Sequence, residues 1–209
     1  YTRTGNTMRW EAVIEDPDVD IVCELIGGLE PAGSLVLAAF DRDKPVVTAN
    51  KELLATRGRE LFDASDDKGL DLYFEASVGG GIPLIRPLKE SLTGERVRRL
   101  MGIVNGTTNF ILTKMSEEGR AFDDVLAQAK RLGYAEADPT ADVEGHDAAA
   151  KCAILASIAF HTRVRTDERS SRPATARSVA TCCTPPISAE NAVTPTTIAA
   201  STTAPIAAE

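Results

Sequence analysis

Between residues 133 and 160 the sequence reads GYAEADPTADVEGHDAAAKCAILASIAF. Its first half carries the carboxylates Glu136, Asp138, Asp142 and Glu144, and Asp147 and Lys151 then follow four residues apart. On a helix that spacing puts a carboxylate and an ammonium on one face. From Cys152 to Phe160 no residue is charged, so the lysine opens an apolar helix, where a cation needs a partner. Carboxylates can hold a substrate ammonium group, and a buried lysine can pass a proton to or from a hydroxyl or carbonyl oxygen. The same spacing also describes an i,i+4 pair on a helix surface, worth only about 0.3–0.5 kcal/mol. Spacing alone leaves both readings open, and the acidic loop beside the pair favours a site.

Three further segments carry chemistry-bearing types. Lys51 opens a helix after Asn50. A lysine in a first turn opposes the helix dipole, a conflict that a phosphate or carboxylate ligand would relieve. The alternative is a solvated helix-start lysine. Gly79, Gly80 and Gly81 follow a strand-like run, either as a bend between domains or as a place where backbone comes close to a ligand. The stretch NGTTN (105–109) reads as an Asn/Gly turn joining a strand to a helix, and its short polar groups also suit the wall of a site.

The elements that must position these residues alternate. Residues 19–26 (VDIVCELI) form an apolar, β-branched run expected to be a buried parallel strand. A helix is expected over 31–41 with Pro31 in its first turn, a second strand over 45–49, and a helix over 51–66 capped by Asn50 and stopped at Gly69. A third strand is expected over 70–77, a helix over 82–92 and a strand over 97–104. Helices follow over 110–118, 121–132 and 146–160, with a loop over 133–144. The last helix is apolar almost all round and must be buried. Strands alternating with helices imply a parallel sheet with right-handed crossovers.

The 209 residues carry a net charge of -8. An acidic balance argues against a nucleic-acid partner, which would need clustered Lys and Arg. No apolar run approaches the roughly 20 residues of a membrane span. Cys23 and Cys152 sit in apolar runs and read as buried free thiols, and the absence of Cys-x-x-Cys spacing fits a reducing, cytoplasmic setting. Past residue 163 the composition changes. Residues 164–209 contain no Gly, Leu, Lys or aromatic residue and are dominated by Ala, Thr, Ser and Pro. Such a segment has too little apolar bulk to offset the entropy of ordering, so a disordered tail is expected there.

The stretch 133–160 resembles the signature segment of the homoserine dehydrogenase family. VTANKELLA (47–55), YFEASVGGGIPLI (73–85) and GIVNGTTNFIL (102–112) resemble three more of its segments, in the family's order. The resemblance covers about residues 16–164. It implies an α/β fold: a partial Rossmann-type parallel sheet over 1–78, then a partial α+β substrate and dimerisation domain over 79–163. It implies interconversion of L-homoserine and L-aspartate 4-semialdehyde with NAD or NADP, a step toward threonine and methionine, in a cytoplasmic homodimer. Lys151 matches the catalytic lysine, Glu136 the residue holding the substrate amino group, and Asp147 and Asp142 further substrate-site carboxylates. Gly133 and Lys51 match cofactor-contacting residues. Glu75, Val78, Gly80 and Ile82 match positions that bind a monovalent cation, sodium, largely through backbone oxygens.

Two departures stand against the resemblance. The glycine-rich turn G-x-G-x-x-G that cradles a dinucleotide pyrophosphate is absent, so the chain is expected to start about midway through the cofactor domain. The Ala/Thr/Pro segment replaces the family's continuation, as a shift of reading frame would do. The alternatives to an active homoserine dehydrogenase are therefore an inactive fragment of one, or a related dehydrogenase for another amino-acid aldehyde. A sheet lacking a strand exposes unpaired backbone and apolar faces. The chain is thus predicted to aggregate or to lose fixed packing on expression. A sharp, reversible thermal transition would contradict this.

Overall fold

In the computed structural model, the described residues are 9–162, 164, 178–179 and 197–202. The chain divides into two compact units, Tyr1–Pro87 and Leu88–Glu209. The sequence placed the first boundary after residue 78. The segment just past the three glycines stays with the first unit, because the Glu75 carboxylate accepts the backbone N–H groups of Leu84, Ile85 and Arg86.

The first unit opens with a short helix that sequence patterning did not indicate, α1 (Trp10–Glu15). Three parallel strands follow with their helices: β1 (Val22–Glu24), α2 (Ala32–Asp41), β2 (Val46–Thr48), α3 (Lys51–Lys68) and β3 (Leu72–Tyr73). The strand order is β1-β2-β3, with Glu24 opposite Thr48 and Val46 opposite Leu72. The helix signals behave as their chemistry requires. The Asn50 side chain accepts Leu53 N–H, and Gly69 takes the left-handed conformation (φ 64°) that ends α3. Strands are shorter than the apolar runs that mark them. The third gives way at Glu75–Ser77 to a 3₁₀ turn, and the helix expected over 82–92 is a π-helical turn at Pro87–Ser91, preceded by helical Ile85 and Arg86.

One expectation about β1 needs correction. The run 19–26 was read as buried, yet only Val22 and Glu24 are buried in the strand, and Ile21, Cys23, Leu25 and Ile26 are exposed. β-Branched residues report extended backbone, whereas the covering of each strand face depends on what packs there. Cys23 is therefore an exposed thiol, while Cys152 is buried.

The buried face of β1 and β2 carries a polar network. Glu24 is 0% exposed. Its Oε1 accepts from Ile26 N–H (2.8 Å) and Gly27 N–H (3.1 Å), and its Oε2 accepts from Thr48 Oγ1 (2.6 Å). Thr48 Oγ1 in turn accepts Asn50 N–H (3.0 Å), and Asn50 Nδ2 donates to Gly28 O (2.7 Å). A carboxylate removed from water is tolerated only with such partners. The network fixes the turn after β1, where Gly27 and Gly28 have φ of 82° and 71°, against the start of α3. Lys44, also buried, donates to Asp16 O and Val19 O (2.5 and 2.8 Å) and ties down the segment leading into β1.

The second unit is built on β4 (Arg99–Ile103), α4 (Gly106–Glu118), α5 (Phe122–Arg131), the one-turn α6 (Thr140–Val143) and α7 (His146–Ala159). Ile111, Val125, Ala129 and Ala135 form the core between α4 and α5, with Phe110, Met115, Phe122 and Leu126 packed against it. α7 is buried along most of its length, as its composition required. Two strands fall within the segment expected to lack order: β5 (Ser178–Val179) and β6 (Thr197–Thr202). β6 pairs antiparallel with β4, Ile103 facing Thr197 and Arg99 facing Ser201, and β5 pairs with β6. Strand pairing satisfies backbone groups whatever the side chains, so a low apolar content does not exclude it. The remaining residues of 164–209 that this expectation concerned lie outside the described residues. Among the described residues no helix is long and apolar enough to cross a membrane.

Thr48→Val keeps the volume and β-branching of Thr48 but leaves Glu24 Oε2 and Asn50 N–H short of partners. It is predicted to cost about 1–3 kcal/mol of stability, read as a lower urea midpoint at unchanged slope.

Candidate active site

β4 ends at Ile103 and α4 starts at Gly106, and the two residues between them organise the site. Lys151 projects from α7 and donates from Nζ to Val104 O (2.8 Å) and to Asp147 Oδ2 (2.7 Å). The side chains of Asp147 and Lys151 are 7% and 17% exposed, so this i,i+4 pair is not a solvated surface pair. The short apolar patch beneath it consists of Ala148, Cys152 and Val104. Asn105 Nδ2 donates to Asp147 Oδ2 (2.9 Å) and to Asp142 Oδ1 (2.7 Å). The structure thus brings together Asp142, Asp147 and Lys151, drawn from α6 and α7, around Asn105.

An ammonium has three N–H donors. Two of those on Lys151 are taken by Val104 O and Asp147, which leaves one for an oxygen of a bound molecule. The side chain is held at two points, yet it remains partly accessible. That arrangement suits proton transfer with a hydroxyl or carbonyl oxygen.

The loop after α5 is tied to the same helix start. Thr107 Oγ1 donates to Tyr134 O (2.6 Å), and the Tyr134 ring stacks on Phe110 with centroids 4.8 Å apart. Gly133, beside Tyr134, has φ of 78° and open space where a Cβ would stand. Glu136 lies on the same loop, exposed and without a hydrogen bond or ion pair among the described residues. It is not brought into the Asp142–Asp147–Lys151 cluster.

Lys51 and the 75–82 turn belong to the first unit. Lys51 is the first residue of α3, half-buried, next to the Asn50 cap. In the turn, Glu75 Oε1 accepts from Leu84 and Ile85 N–H (2.5 and 2.8 Å) and Oε2 from Arg86 N–H (2.7 Å). Burial works against the Glu75 charge, but these amides and the Arg86 guanidinium outweigh it and hold the carboxyl below its ordinary 4.5. The carbonyls of Val78, Gly80 and Ile82 accept no hydrogen bond among the described residues, and Glu75 O receives only a long one from Val78 N–H (3.5 Å). Unengaged carbonyl oxygens are the donor type that hard cations take. No cluster of three or more His, Cys, Asp or Glu able to hold a metal occurs among the described residues.

Asn105 is the residue that sequence reasoning passed over. It stood within NGTTN, a stretch that reads both as a turn and as the wall of a site, without being singled out. The sequence signal was its place as helix N-cap. Its second set of contacts, to carboxylates about forty positions on, has no local signature.

Comparison with known proteins bears on both units. A sequence model of homoserine dehydrogenase matches residues 83–200, and a model of the homoserine dehydrogenase NAD binding domain matches residues 1–75. The first match runs past Val164, where the likeness was expected to end. Homoserine dehydrogenase of Corynebacterium glutamicum is 61% identical over 157 residues, 75% of this chain and 35% of the relative. The crystal structure of a homoserine dehydrogenase from Thiobacillus denitrificans superposes with a TM-score of 0.74 at 56% identity, covering 77% of this chain and 37% of that one. A hyperthermophilic archaeal homoserine dehydrogenase in complex with NADPH superposes with a TM-score of 0.70 at 34% identity, covering 76% and 49%. The chain therefore spans about a third of the length of the curated relatives it matches.

The geometry makes two predictions. In a double-mutant cycle of Asp147→Asn and Lys151→Met, the coupling energy read from urea unfolding should reach about 2–3 kcal/mol, because breaking a buried pair strands a charge. A coupling near about 0.5 kcal/mol would mark an ordinary surface pair. Glu75, with its lowered pKa, contributes stability that is present above the ordinary carboxylate value and lost as pH falls through the lowered one. Between about pH 6 and about pH 3, Glu75→Gln should therefore lose less stability than the parent chain, as read from urea midpoints.

Proposed function

The chain belongs to the homoserine dehydrogenase family, and from that membership we propose that this protein interconverts L-homoserine and L-aspartate 4-semialdehyde with NAD or NADP, on the route to threonine and methionine. The observation that carries the chemistry is the remaining N–H of Lys151, on an ammonium already held by Asp147 and Val104 O. In the reducing direction the Lys151 ammonium donates a proton to the aldehyde oxygen and becomes a neutral amine, and in the oxidising direction that neutral amine receives the proton of the substrate hydroxyl and returns to the ammonium. Asp147 holds the lysine in place. Asp142 and Glu136 supply negative charge for the substrate amino group.

The cofactor, when bound, gives or takes the hydride. Lys51 at the start of α3 and the open, left-handed Gly133 are the residues proposed to contact it. The sequence contains no G-x-G-x-x-G turn for its pyrophosphate. Sodium held by backbone oxygens of Glu75, Val78, Gly80 and Ile82 is part of the same proposal, supported by the unengaged carbonyls of that turn. So is a homodimer, for which exposed Met101 and Ile103 on β4 offer an apolar surface. The cytoplasmic setting rests on free Cys152 and Cys23.

A second reading has its own support. The chain spans 35% of its relative's length and its sequence contains no G-x-G-x-x-G turn, and the second reading is a chain that keeps the substrate-side residues without binding the cofactor. Steady-state oxidation of homoserine, followed by nicotinamide absorbance, tests the first reading. Turnover is expected, and Lys151→Met should reduce it by about 100-fold or more, the usual contribution of a general acid–base. No turnover together with no NADPH binding by titration would overturn the first reading in favour of the second.

A further inference from the structure

The side chain of Asn105 is 5% exposed and uses all of its hydrogen-bonding capacity. Its Oδ1 accepts from Thr108 N–H and Thr108 Oγ1, both at 2.9 Å, which caps α4. Its two N–H donors go to Asp142 Oδ1 and Asp147 Oδ2. The reverse orientation would set an amide oxygen against two carboxylates and an NH₂ group against the Thr108 amide, so the network admits only one.

Capping accounts for half of this. Ser, Thr and Asp cap helices about as well as Asn. Only Asn, from the same position, caps with one end and donates two hydrogen bonds to carboxylates with the other. Its second role therefore explains the residue type. Asp147 Oδ2 receives both Asn105 Nδ2 and Lys151 Nζ, so a movement of the amide moves the acceptor of the ammonium. The preceding carbonyl, Val104 O, takes another Nζ hydrogen. Residues 104 and 105 thus fix two of the three directions of the ammonium, one directly and one through Asp147.

We propose that Asn105 is the positioning residue of this site: its amide locks Asp142 and Asp147 to the start of α4, and through Asp147 it aims the remaining N–H of Lys151 at the substrate oxygen. The catalytic meaning of that aim rests on Lys151 being the proton carrier, whereas the positioning itself does not.

The test uses the full 209-residue chain, labelled with ¹⁵N. The readout is the side-chain ammonium resonance of Lys151, identified by its loss in Lys151→Met, together with its rate of exchange with water. Asn105→Ser and Asn105→Thr both keep an oxygen to cap α4 while losing the paired amide donors. Both variants should still unfold in one cooperative transition, with a midpoint lowered by about 5–10 °C because two carboxylates lose a donor. The ammonium resonance should shift and exchange about tenfold faster or more in both, as expected when a hydrogen bond to a charged group is loosened. Unchanged resonance and exchange in either folded variant would overturn the proposal, and so would a parent chain with no protected ammonium. If the signature is lost in the variants while the parent turns over no homoserine, Asn105 positions the lysine as stated and the proposed activity is what fails. In an active preparation, Asn105→Ser should lower kcat by about tenfold with little change in KM, since an interaction used for proton transfer is felt in the transition state.

Discussion

A lysine ammonium withdrawn from water must have its hydrogens matched, and the second unit is arranged around that requirement. Lys151 is 17% exposed and sits on a helix whose following residues are apolar. Its carboxylate partner comes from one turn earlier on the same helix, and its carbonyl partner from the end of β4. Asp147 is more deeply buried than the lysine and needs a donor of its own, which Asn105 supplies. Helix cap and buried helix meet at Asp147 Oδ2, which accepts from both Asn105 and Lys151, while Asn105 also reaches Asp142 and Lys151 also reaches Val104 O.

The first unit meets the same constraint with the opposite charge. Glu24 is fully buried and obtains three donors, two from the backbone after β1 and one from Thr48 on the neighbouring strand. Asn50 continues the chain of contacts while capping α3. In both units an asparagine caps a helix that begins just after a strand, and its other end ties that junction to something else. In the first unit the tie is to a glycine carbonyl; in the second it is to two carboxylates. A side chain with an acceptor on one branch and two donors on the other suits a strand-to-helix junction for this reason.

The segment between the two units shows how a side chain can set a boundary. Three consecutive glycines mark a bend, and a break directly after the third strand is the natural reading. Glu75 reaches across the bend to three amides and keeps residues 84–86 with the first unit. The carbonyls of Val78, Gly80 and Ile82 accept no hydrogen bond among the described residues. Carbonyl oxygens leave no side-chain signature, so only the folded main chain shows that they are unengaged.

Much was legible in the sequence, because local chemistry writes itself locally. Pro31, Asn50 and Gly69 mark helix ends through dihedral preference and capping, the apolar helix expected over 146–160 had to be buried, and alternating elements implied a parallel sheet. The Asp147–Lys151 spacing also had to place both groups on one helix face. Spacing could not decide between a solvated pair and a buried one, since exposure is set by what packs against the helix. Nor could it show that Asn105 would meet Asp142 and Asp147, that Glu136 would stay apart from them, that one face of β1 would be exposed, or that Thr197–Thr202 would pair with β4. Those outcomes join residues far apart in the chain, and only the folded backbone sets their distances. The sequence by itself determined which residues could carry a proton and bind a charge. Tertiary structure decided which of them share a hydrogen bond, and so which way the lysine points.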